Sequence, residues 1–202
     1  MYSRILILIF FINFNCSSQN SNKQNDHLIV NDFENTVYTI LDLYNAKNEK
    51  ELNRYIHSDL NIYYLFRRGA HDNLMVADKI DFKNPIPEYL PYDEFNYQNK
   101  LAIQYDKSPN YSCDDLSWNI NNGIFVDTIT VDKKRSEIAI DENKYELNIW
   151  SQSELDKLNK IEESSKKVIC INDKGNEIIL YLSLYKGKWY LTGIDRFESC
   201  TA

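Results

Sequence analysis

The sequence predicts an α+β domain in which N-terminal helices pack on an antiparallel sheet. Apolar residues recur at helical spacing between Asp32 and Tyr44, which predicts an amphipathic helix. Three apolar runs joined by tight turns stand near the C-terminus, and they predict a meander of strands. Aromatic residues make up 13 % of the chain, with only 5 glycines and 4 prolines, which is typical of a folded domain rather than a disordered one.

The first predicted helix spans Asp32–Tyr44. Asn31 and Glu34 form a capping-box pattern, in which Glu stands three positions after the capping residue. The apolar positions of this helix are Phe33, Val37, Ile40, Leu41 and Tyr44. Asn48 and Glu51 repeat the capping pattern and predict a second, shorter helix. That helix is expected to bury Leu52, Tyr55 and Ile56.

The middle of the chain alternates between strand and loop patterns. "LNIYYLF" (60–66) is rich in aromatic and β-branched residues and predicts a strand. Residues 67–118 contain all 4 prolines, so we expect mostly loop there, with one candidate strand at Lys100–Tyr105. "GIFVDTITV" (123–131) predicts another strand, and Lys133–Arg135 after it predicts an exposed turn.

The C-terminal third carries the strongest local signals. "KYELNIW" (144–150) predicts a strand, and Ser151 with Glu154 opens a charged helix that reaches about Ser165. Three strands then follow, "KVICI", "EIILYLSLY" and "KWYLTGI". Turns containing glycine separate them, at 172–175 and at 186–187, which predicts consecutive hairpins.

Two helices, a strand and an antiparallel sheet that closes on "GKWYLTGID" resemble the NTF2-like (cystatin-like cone) superfamily. The resemblance covers about the first forty and the last forty residues of the domain, and its most recognisable piece is the strand with Trp189, Tyr190 and Leu191 followed by Asp195. It implies a curved antiparallel sheet that wraps the first helix. Similar domains occur in small lipoproteins of Bacteroidota type. The proline-rich middle and the 151–165 helix depart from the simple cone.

Residues 1–15 have the order of a signal peptide. Arg4 is the only formal side-chain charge among them, and an apolar run from Ile5 to Ile12 follows it. That run is much shorter than the roughly 18 residues of a membrane span. Cys16 resembles the cysteine that receives diacylglycerol in bacterial lipoproteins, although residues 13–15 depart from the usual lipobox. Cleavage after Ser18 is the alternative, and it would remove Cys16.

Residues 16–27 are expected to form a disordered tether, because no apolar residue follows Cys16 up to His27. A single α+β domain, 28–202, would then be held at the bacterial cell envelope through the N-terminal lipid, at the outer membrane or the cell surface. The formal net charge of the chain is -7, and it has no Lys/Arg-rich stretch. This composition argues against nucleic-acid binding and against docking on anionic lipids.

No motif predicts a catalytic residue, a metal site or a cofactor. His57–Asp59 has the residue types of a catalytic triad, but adjacent residues cannot face one another as nucleophile, base and orienting acid. Arg67 and Arg68 could bind an anion, and His71 with Asp72 could titrate near neutral pH, although a solvated glycine loop explains the same residues. Asp114 and Asp115 lack the spacing of a calcium loop and are expected to be solvated.

Two classes of function remain open. The first is a non-catalytic envelope lipoprotein that binds a small ligand, a glycan or another envelope protein. The alternative is an NTF2-like enzyme with an acid/base Asp or His in a cone-shaped pocket. A cone filled by side chains would favour binding, whereas an ionisable residue on the floor of an aromatic cone would favour the enzyme.

The other three cysteines allow three pairings. In the predicted meander, Cys200 lies six residues past the level of Cys170, roughly 20 Å along the sheet. A disulfide needs Cα atoms within about 7 Å, so Cys170 is expected to pack as a small buried residue. We therefore expect a disulfide between Cys113 and Cys200, which would attach the C-terminus to the irregular middle of the chain.

Overall fold

The structure, a computed structural model, describes residues 20–92, 94–97, 101–105, 108–127, 134–196 and 200. Its helices are α1 (Asn20–Asn45), α2 (Glu49–Leu52), α3 (Arg135–Lys144) and α4 (Gln152–Glu163), with a 3₁₀ turn at Asn53–Tyr55. Its strands are β1 (Ile62–Arg68), β2 (His71–Ala77), β3 (Ile103–Tyr105), β4 (Tyr111–Ser112), β5 (Ser117–Trp118), β6 (Gly123–Asp127), β7 (Ser165–Ile171), β8 (Glu177–Tyr185) and β9 (Lys188–Asp195).

Seven strands form one sheet in the order β2-β1-β9-β8-β7-β6-β3. The pairs β1–β9 and β3–β6 are parallel, and the other neighbours are antiparallel. Strands β4 and β5 form a separate hairpin. The predicted class, α+β with helices on a largely antiparallel sheet, is confirmed.

One face of the sheet, here called the α1 face, is covered by the first helix. Phe33 packs edge-on against Trp189 of β9, with 4.8 Å between the ring centroids. Residues 80–97 also contribute to this face, where Tyr92 and Phe95 are buried in the same core. Arg196 holds that segment, because its guanidinium donates to the backbone oxygens of Leu90 (2.6 Å) and Pro91 (2.7 Å). Side chains from two segments therefore pack on the α1 face.

The opposite face, here called the α4 face, carries α3 and α4. Successive strand residues point to opposite faces, so Tyr64 packs toward α1 while Tyr63 packs toward Trp150. The buried residues of this second core include Leu65, Ile138, Leu158, Ile161 and Tyr181. The sheet is thus sandwiched between two apolar layers, and its central strands are buried on both sides.

Several local predictions are confirmed. The strand at 60–66 is β1, the candidate strand at 100–105 contains β3, and the three-stranded meander is β7–β8–β9. The Asn48 side chain caps α2, and Ser151 with Glu154 forms the predicted capping box of α4. On the α1 face the predicted helix buries Phe33, Val37 and Leu41, and the predicted meander buries Trp189 and Leu191, whereas Ile179 is half-buried on the other face.

The disordered tether predicted for 16–27 is wrong for residues 20–27, which belong to α1. The Asn31 capping pattern therefore lies inside the helix and does not begin it. Phe33 to Tyr44 hold the C-terminal half of the helix in the core, and extending an existing helix costs less free energy than starting one. Residues 16–19 lie outside the described part of the chain.

The strand predicted at 144–150 is wrong, because α3 ends at Lys144 and an irregular segment follows. Tyr145, Leu147 and Ile149 alternate as in a strand but are exposed. The Asn143 side chain bonds both backbone groups of Trp150, accepting from its N–H (2.7 Å) and donating to its carbonyl oxygen (2.9 Å). The Asn143 side chain thus makes the backbone hydrogen bonds of Trp150 that a neighbouring strand would otherwise make.

The exposed turn predicted at Lys133–Arg135 is wrong at Arg135, which begins α3 with 1 % of its surface exposed. The loop expected after 67 instead holds β2, which pairs with β1 through a two-residue turn at Gly69 and Ala70. Gly69 has φ +75°, a conformation that glycine adopts readily. The strand predicted at 123–131 is β6 as far as Asp127, and 128–133 lie outside the described residues.

A disulfide joins Cys113 to Cys200, with 5.5 Å between the Cα atoms. This is the pair that the sequence favoured. Cys170 is free and buried on the α1 face, as expected for a small apolar residue. In the β7–β8 hairpin, Cys170 faces Ile178.

Candidate functional site

A pocket of about 400 Å³ lies on the α4 face, where α4 passes the end of β8 and the turn before β1. Its size falls in the range of small-molecule sites. The residues that line it come from three separated segments and are Asp59, Leu60, Ser153, Asp156, Lys157, Lys160, Ile161, Ser164, Ser183, Leu184 and Tyr185. We call it the α4 pocket.

One side of α4 forms the wall of this pocket. Ser153, Lys157, Lys160 and Ser164 are spaced by three or four residues, so they lie along the same side of the helix. The capping box fixes where the helix begins and hence which side faces the sheet. Hydrogen bonds from the Ser151 hydroxyl and backbone N–H lower the pKa of Glu154, so this cap stays ionised at neutral pH.

The floor of the pocket is apolar except for one hydroxyl group. Leu60 and Ile161 supply the apolar surface, and Ser183 supplies the hydroxyl. Ser183 is only 1 % exposed, so its hydroxyl makes hydrogen bonds within the protein and not with solvent. A ligand seated here would contact these apolar side chains at the floor and polar groups elsewhere.

Ser183 is the middle of a chain of hydroxyl groups. The Ser165 hydroxyl donates to the backbone oxygen of Ile161 (2.9 Å) and accepts from Arg135 Nη2 (2.7 Å). The Ser183 hydroxyl lies 2.5 Å from the Ser165 hydroxyl and 2.7 Å from the Thr192 hydroxyl. Thr192 donates to the backbone oxygen of Tyr181 (3.3 Å), so Ser183 directs its proton at one of these two hydroxyl groups. The proton of Ser183 is thus engaged inside the protein, and this hydroxyl offers the pocket only a lone pair.

Arg135 stands behind that chain as a buried charge. Its Nη1 donates to the Thr192 backbone oxygen (2.9 Å), and its Nε lies 3.6 Å from Glu162 Oε1. The guanidinium carbon is 4.8 Å from the centroid of the Tyr181 ring. Burial lowers the pKa of Arg135, and the Glu162 carboxylate opposes that shift, so the guanidinium stays charged. At Gly193 a Cβ would lie 2.9 Å from Nη1, so the absence of a side chain there gives the guanidinium room.

Asp59 and Tyr185 form one part of the rim. The Tyr185 hydroxyl donates to Asp59 Oδ2 (2.9 Å), and Lys186 Nζ lies 3.5 Å from the same oxygen. The hydrogen bond from Tyr185 is the main reason why the pKa of Asp59 is lowered. Hydrogen bonding with Tyr185 also raises the pKa of Lys186. Asp59 and Lys186 are therefore both charged at neutral pH and neutralise each other.

The His57–Asp59 segment lies beside this rim but does not form a triad. His57 Nδ1 accepts the backbone N–H of Asp59 (3.0 Å), and its ring packs edge-on against Tyr185 and Tyr190. Nδ1 is 3.8 Å from Asp59 Oδ2. Ser58 is exposed in the same turn. The His57 ring bonds the backbone N–H of Asp59 and does not activate the Ser58 hydroxyl.

The other residues considered from the sequence lie elsewhere. Arg67 pairs with Asp72 across the β1–β2 hairpin, with Nε 3.2 Å from Oδ1, while the side chain of Arg68 lies outside the described part. The His71 ring packs on Tyr145, 4.8 Å between centroids. Asp115 accepts from the Ser112 hydroxyl (2.9 Å) within the exposed β4–β5 turn, where Asp114 is also exposed. The structure therefore does not bring these residues together.

The α1 face holds a second set of titratable groups. The Tyr92 hydroxyl donates to the Tyr64 hydroxyl (3.1 Å) inside the core. Tyr97 Oη is buried without a hydrogen-bond partner in the described part of the chain, and burial raises the pKa of Tyr97 to about 12. Burial also raises the pKa of Tyr64 and of Cys170. These groups all stay protonated at neutral pH.

Sequence reasoning missed the α4 pocket and its lysines. The one available signal was the polar side of the 151–165 helix, where Ser153, Lys157, Lys160 and Ser164 share a face. A polar helix face is ordinarily solvated, however, and the sequence does not say that β8 ends beside it.

No protein-family model, curated protein or solved structure matches this chain. Within the described ranges, none of the helices has the length and apolar character needed to cross a membrane. Those ranges also contain no group of three His, Cys, Asp or Glu side chains placed to hold a metal ion. Residues 1–19, with the predicted signal peptide and Cys16, lie outside them.

Proposed function

We propose that the protein is a lipoprotein of the bacterial cell envelope whose domain binds a small ligand without transforming it. The observation that carries the proposal is the α4 pocket, because it combines an apolar floor with charged and hydroxyl groups at the rim. Binding sites for small molecules have this composition, in which hydrocarbon supplies affinity and a few polar groups orient the ligand.

The protonation states of both candidate regions favour binding over acid/base catalysis. A general acid or base works best when its pKa lies near the working pH. At the α4 pocket the pKa of Asp59 is lowered, which makes this carboxylate a weaker base. On the α1 face the raised pKa values of Tyr64, Tyr97 and Cys170 keep these groups protonated at neutral pH, so none of them acts as a base. These raised pKa values speak against the alternative, an NTF2-like enzyme with an acid/base residue on that face.

For the fold, we propose membership of the NTF2-like (cystatin-like cone) superfamily. The arrangement of a long α1 on one face of a sheet closed by β7–β8–β9 supports it. The α4 layer and the segment 80–97 would then be additions to that cone. On this proposal the binding site lies on the α4 face and not in the cone.

The N-terminal features support the proposed anchor. Arg4, the apolar run and Cys16 stand in the order of a lipoprotein signal. From Asn20 to Phe33, which packs on Trp189, the helix rises roughly 20 Å. A rigid stalk of this kind would hold the domain away from the lipid.

Native mass spectrometry of the full chain, recovered in detergent from its own envelope, tests the proposed function. We expect a bound species of small-molecule mass. Ser153→Trp, which places an indole in the α4 pocket, should abolish that species, while Lys174→Trp in the exposed β7–β8 turn should keep it. If the native chain carries no such species, or Ser153→Trp retains it, the α4 pocket is not the binding site.

A further inference from the structure

We infer that His57 is a proton-operated switch at the rim of the α4 pocket. As a neutral imidazole it accepts the backbone N–H of Asp59, and as an imidazolium it donates to the Asp59 carboxylate instead. The switch itself needs no ligand, whereas its effect on binding rests on the proposed function, because Asp59 lines the same pocket.

The neutral state of the switch is defined by one hydrogen bond. His57 Nδ1 lies 3.0 Å from the Asp59 backbone nitrogen and accepts its N–H, which requires a lone pair on Nδ1. The ring proton of this state is therefore on Nε2. The backbone oxygen of His57 holds the same turn, since it accepts from the N–H groups of Leu60 and Asn61 (2.9 Å each). Asp59 and Leu60 line the pocket, so this turn positions one part of its rim.

Protonation of the imidazole removes that acceptor. Nδ1 then carries a hydrogen of its own, so it faces the Asp59 N–H as a second donor and this hydrogen bond is lost. Asp59 Oδ2 already lies 3.8 Å from Nδ1, and a shift of about 1 Å makes a charge-assisted hydrogen bond between them. The hydrogen bond from Tyr185 lowers the pKa of Asp59, so this carboxylate is ionised throughout the range in which histidine titrates.

The contacts of the imidazole ring direct this change to Asp59. The ring packs edge-on against Tyr185 and Tyr190, with 5.0 Å between centroids in each pair, so it is held while the carboxylate moves. Asp59 Oδ2 accepts from the Tyr185 hydroxyl (2.9 Å) and lies 3.5 Å from Lys186 Nζ, and the imidazolium competes with both for this oxygen. Once His57 is protonated, the turn therefore loses one backbone hydrogen bond and the hydrogen bond between Tyr185 and Asp59 weakens.

The charged groups near this rim come from several segments. Lys186, in the turn after β8, opposes protonation of His57, and the Asp59 carboxylate favours it. Arg54, which precedes His57 in the chain, pairs with Glu51 (2.6 Å). Across the pocket α4 presents Asp156, Lys157 and Lys160. Among these described groups Asp59 is the one within ion-pair distance of the imidazole, so its carboxylate is the partner of the charged ring.

NMR of the ¹⁵N-labelled full chain in a non-ionic detergent tests the switch without a ligand. We expect neutral His57 to carry its proton on Nε2 in long-range ¹H–¹⁵N spectra. As the pH falls from about 8 to about 5, the range in which histidine titrates, the Asp59 amide proton should move to lower frequency with the same midpoint as the His57 ring. His57→Gln should make the Asp59 amide independent of pH in this range.

His71→Gln is the matched control, because His71 packs on Tyr145 and not at the pocket, and it should leave the response of Asp59 unchanged. A neutral His57 with its proton on Nδ1, or an Asp59 amide that titrates equally in His57→Gln, would overturn the switch.

Native mass spectrometry of the chain recovered from its envelope tests the effect on binding. The bound species should be retained about fivefold less at about pH 5 than at about pH 8, which is the effect of losing one hydrogen bond, and His57→Gln should remove this difference. If the Asp59 amide responds as expected but retention does not change with pH, the switch does not act on the pocket. If no bound species is found at either pH, the proposed function fails, while the response of the Asp59 amide still decides the switch.

Discussion

Arg135→Met removes the buried charge that lies behind the α4 pocket. Methionine keeps much of the side-chain volume but removes the charge and all donors. The substitution removes the hydrogen bonds of the guanidinium to the Thr192 backbone oxygen (2.9 Å) and to the Ser165 hydroxyl (2.7 Å). It also removes the ion pair with Glu162. Breaking a buried ion pair by removing one partner costs about 3–5 kcal/mol.

The lower half of that range applies here, for a reason visible in the structure. Glu162 keeps two hydrogen bonds without Arg135, from the Ser136 N–H (3.2 Å) and the Ser136 hydroxyl (2.6 Å). Its side chain is also 12 % exposed, so part of its hydration remains. We expect Arg135→Met to lower the free energy of unfolding by about 3–4 kcal/mol, which corresponds to a fall in Tm of about 6–16 °C for a domain of this size.

Urea titration and thermal melting followed by circular dichroism measure this change. Lys174→Met is the matched control, since it removes a cation from an exposed turn and should change Tm by no more than about 1–2 °C. Adding Glu162→Gln to Arg135→Met should recover part of the loss, because the stranded carboxylate becomes neutral. If Arg135→Met melts within the error of Lys174→Met, Arg135 is solvated and the buried charge behind the α4 pocket does not exist.

Three further predictions concern the core, the rim and the anchor. Leu41→Ala should lower the free energy of unfolding by about 2–5 kcal/mol, because Leu41 is fully buried on the α1 face. If urea titration shows a loss no larger than that of an exposed substitution, Leu41 is not packed in this core. Tyr185→Phe should raise the pKa of Asp59 toward its ordinary value, measured by NMR titration of the carboxyl carbon. Because the pKa of Asp59 is lowered in the folded state, the ionised carboxylate stabilises the fold above the unfolded-state pKa, and this stabilisation is lost as pH falls through the folded-state pKa. Tyr185→Phe should therefore reduce the loss of stability at acid pH. An unchanged pKa of Asp59 would show that Tyr185 does not bond Asp59. Cys16→Ser should release the protein from the membrane fraction in detergent partitioning, and a variant that stays bound and is equally processed would contradict lipidation.

The elements predicted correctly are those whose signals are local. The turns at 172–175 and 186–187 contain glycine between apolar runs, so the β7–β8–β9 meander could be placed from short stretches alone. The cap at Ser151 likewise acts within four residues. The strand predicted at 144–150 was wrong because alternating apolar residues do not make a strand without a neighbour to pair with. The Asn143 side chain instead hydrogen-bonds the backbone of Trp150.

The burial of Arg135 and the α4 pocket could not be predicted, because their partners are distant in the chain. A cluster of basic residues is ordinarily solvated, and only the approach of Ser165, Glu162 and Thr192 makes a buried guanidinium tolerable. The pocket joins the turn at 59–60, the helix α4 and the end of β8. Each segment has an ordinary sequence, and the site arises from their contact.

Hydrogen exchange measured on the protein in its own envelope membranes tests the central claim most directly. The comparison is with the same full chain purified in detergent and freed of bound small molecules. The account predicts slower exchange of backbone amides in 153–164 and 183–185 in the membrane sample, with 80–97 unchanged, because a ligand in the α4 pocket contacts the first two segments. Slower exchange confined to 80–97 would place the ligand on the α1 face and contradict the account.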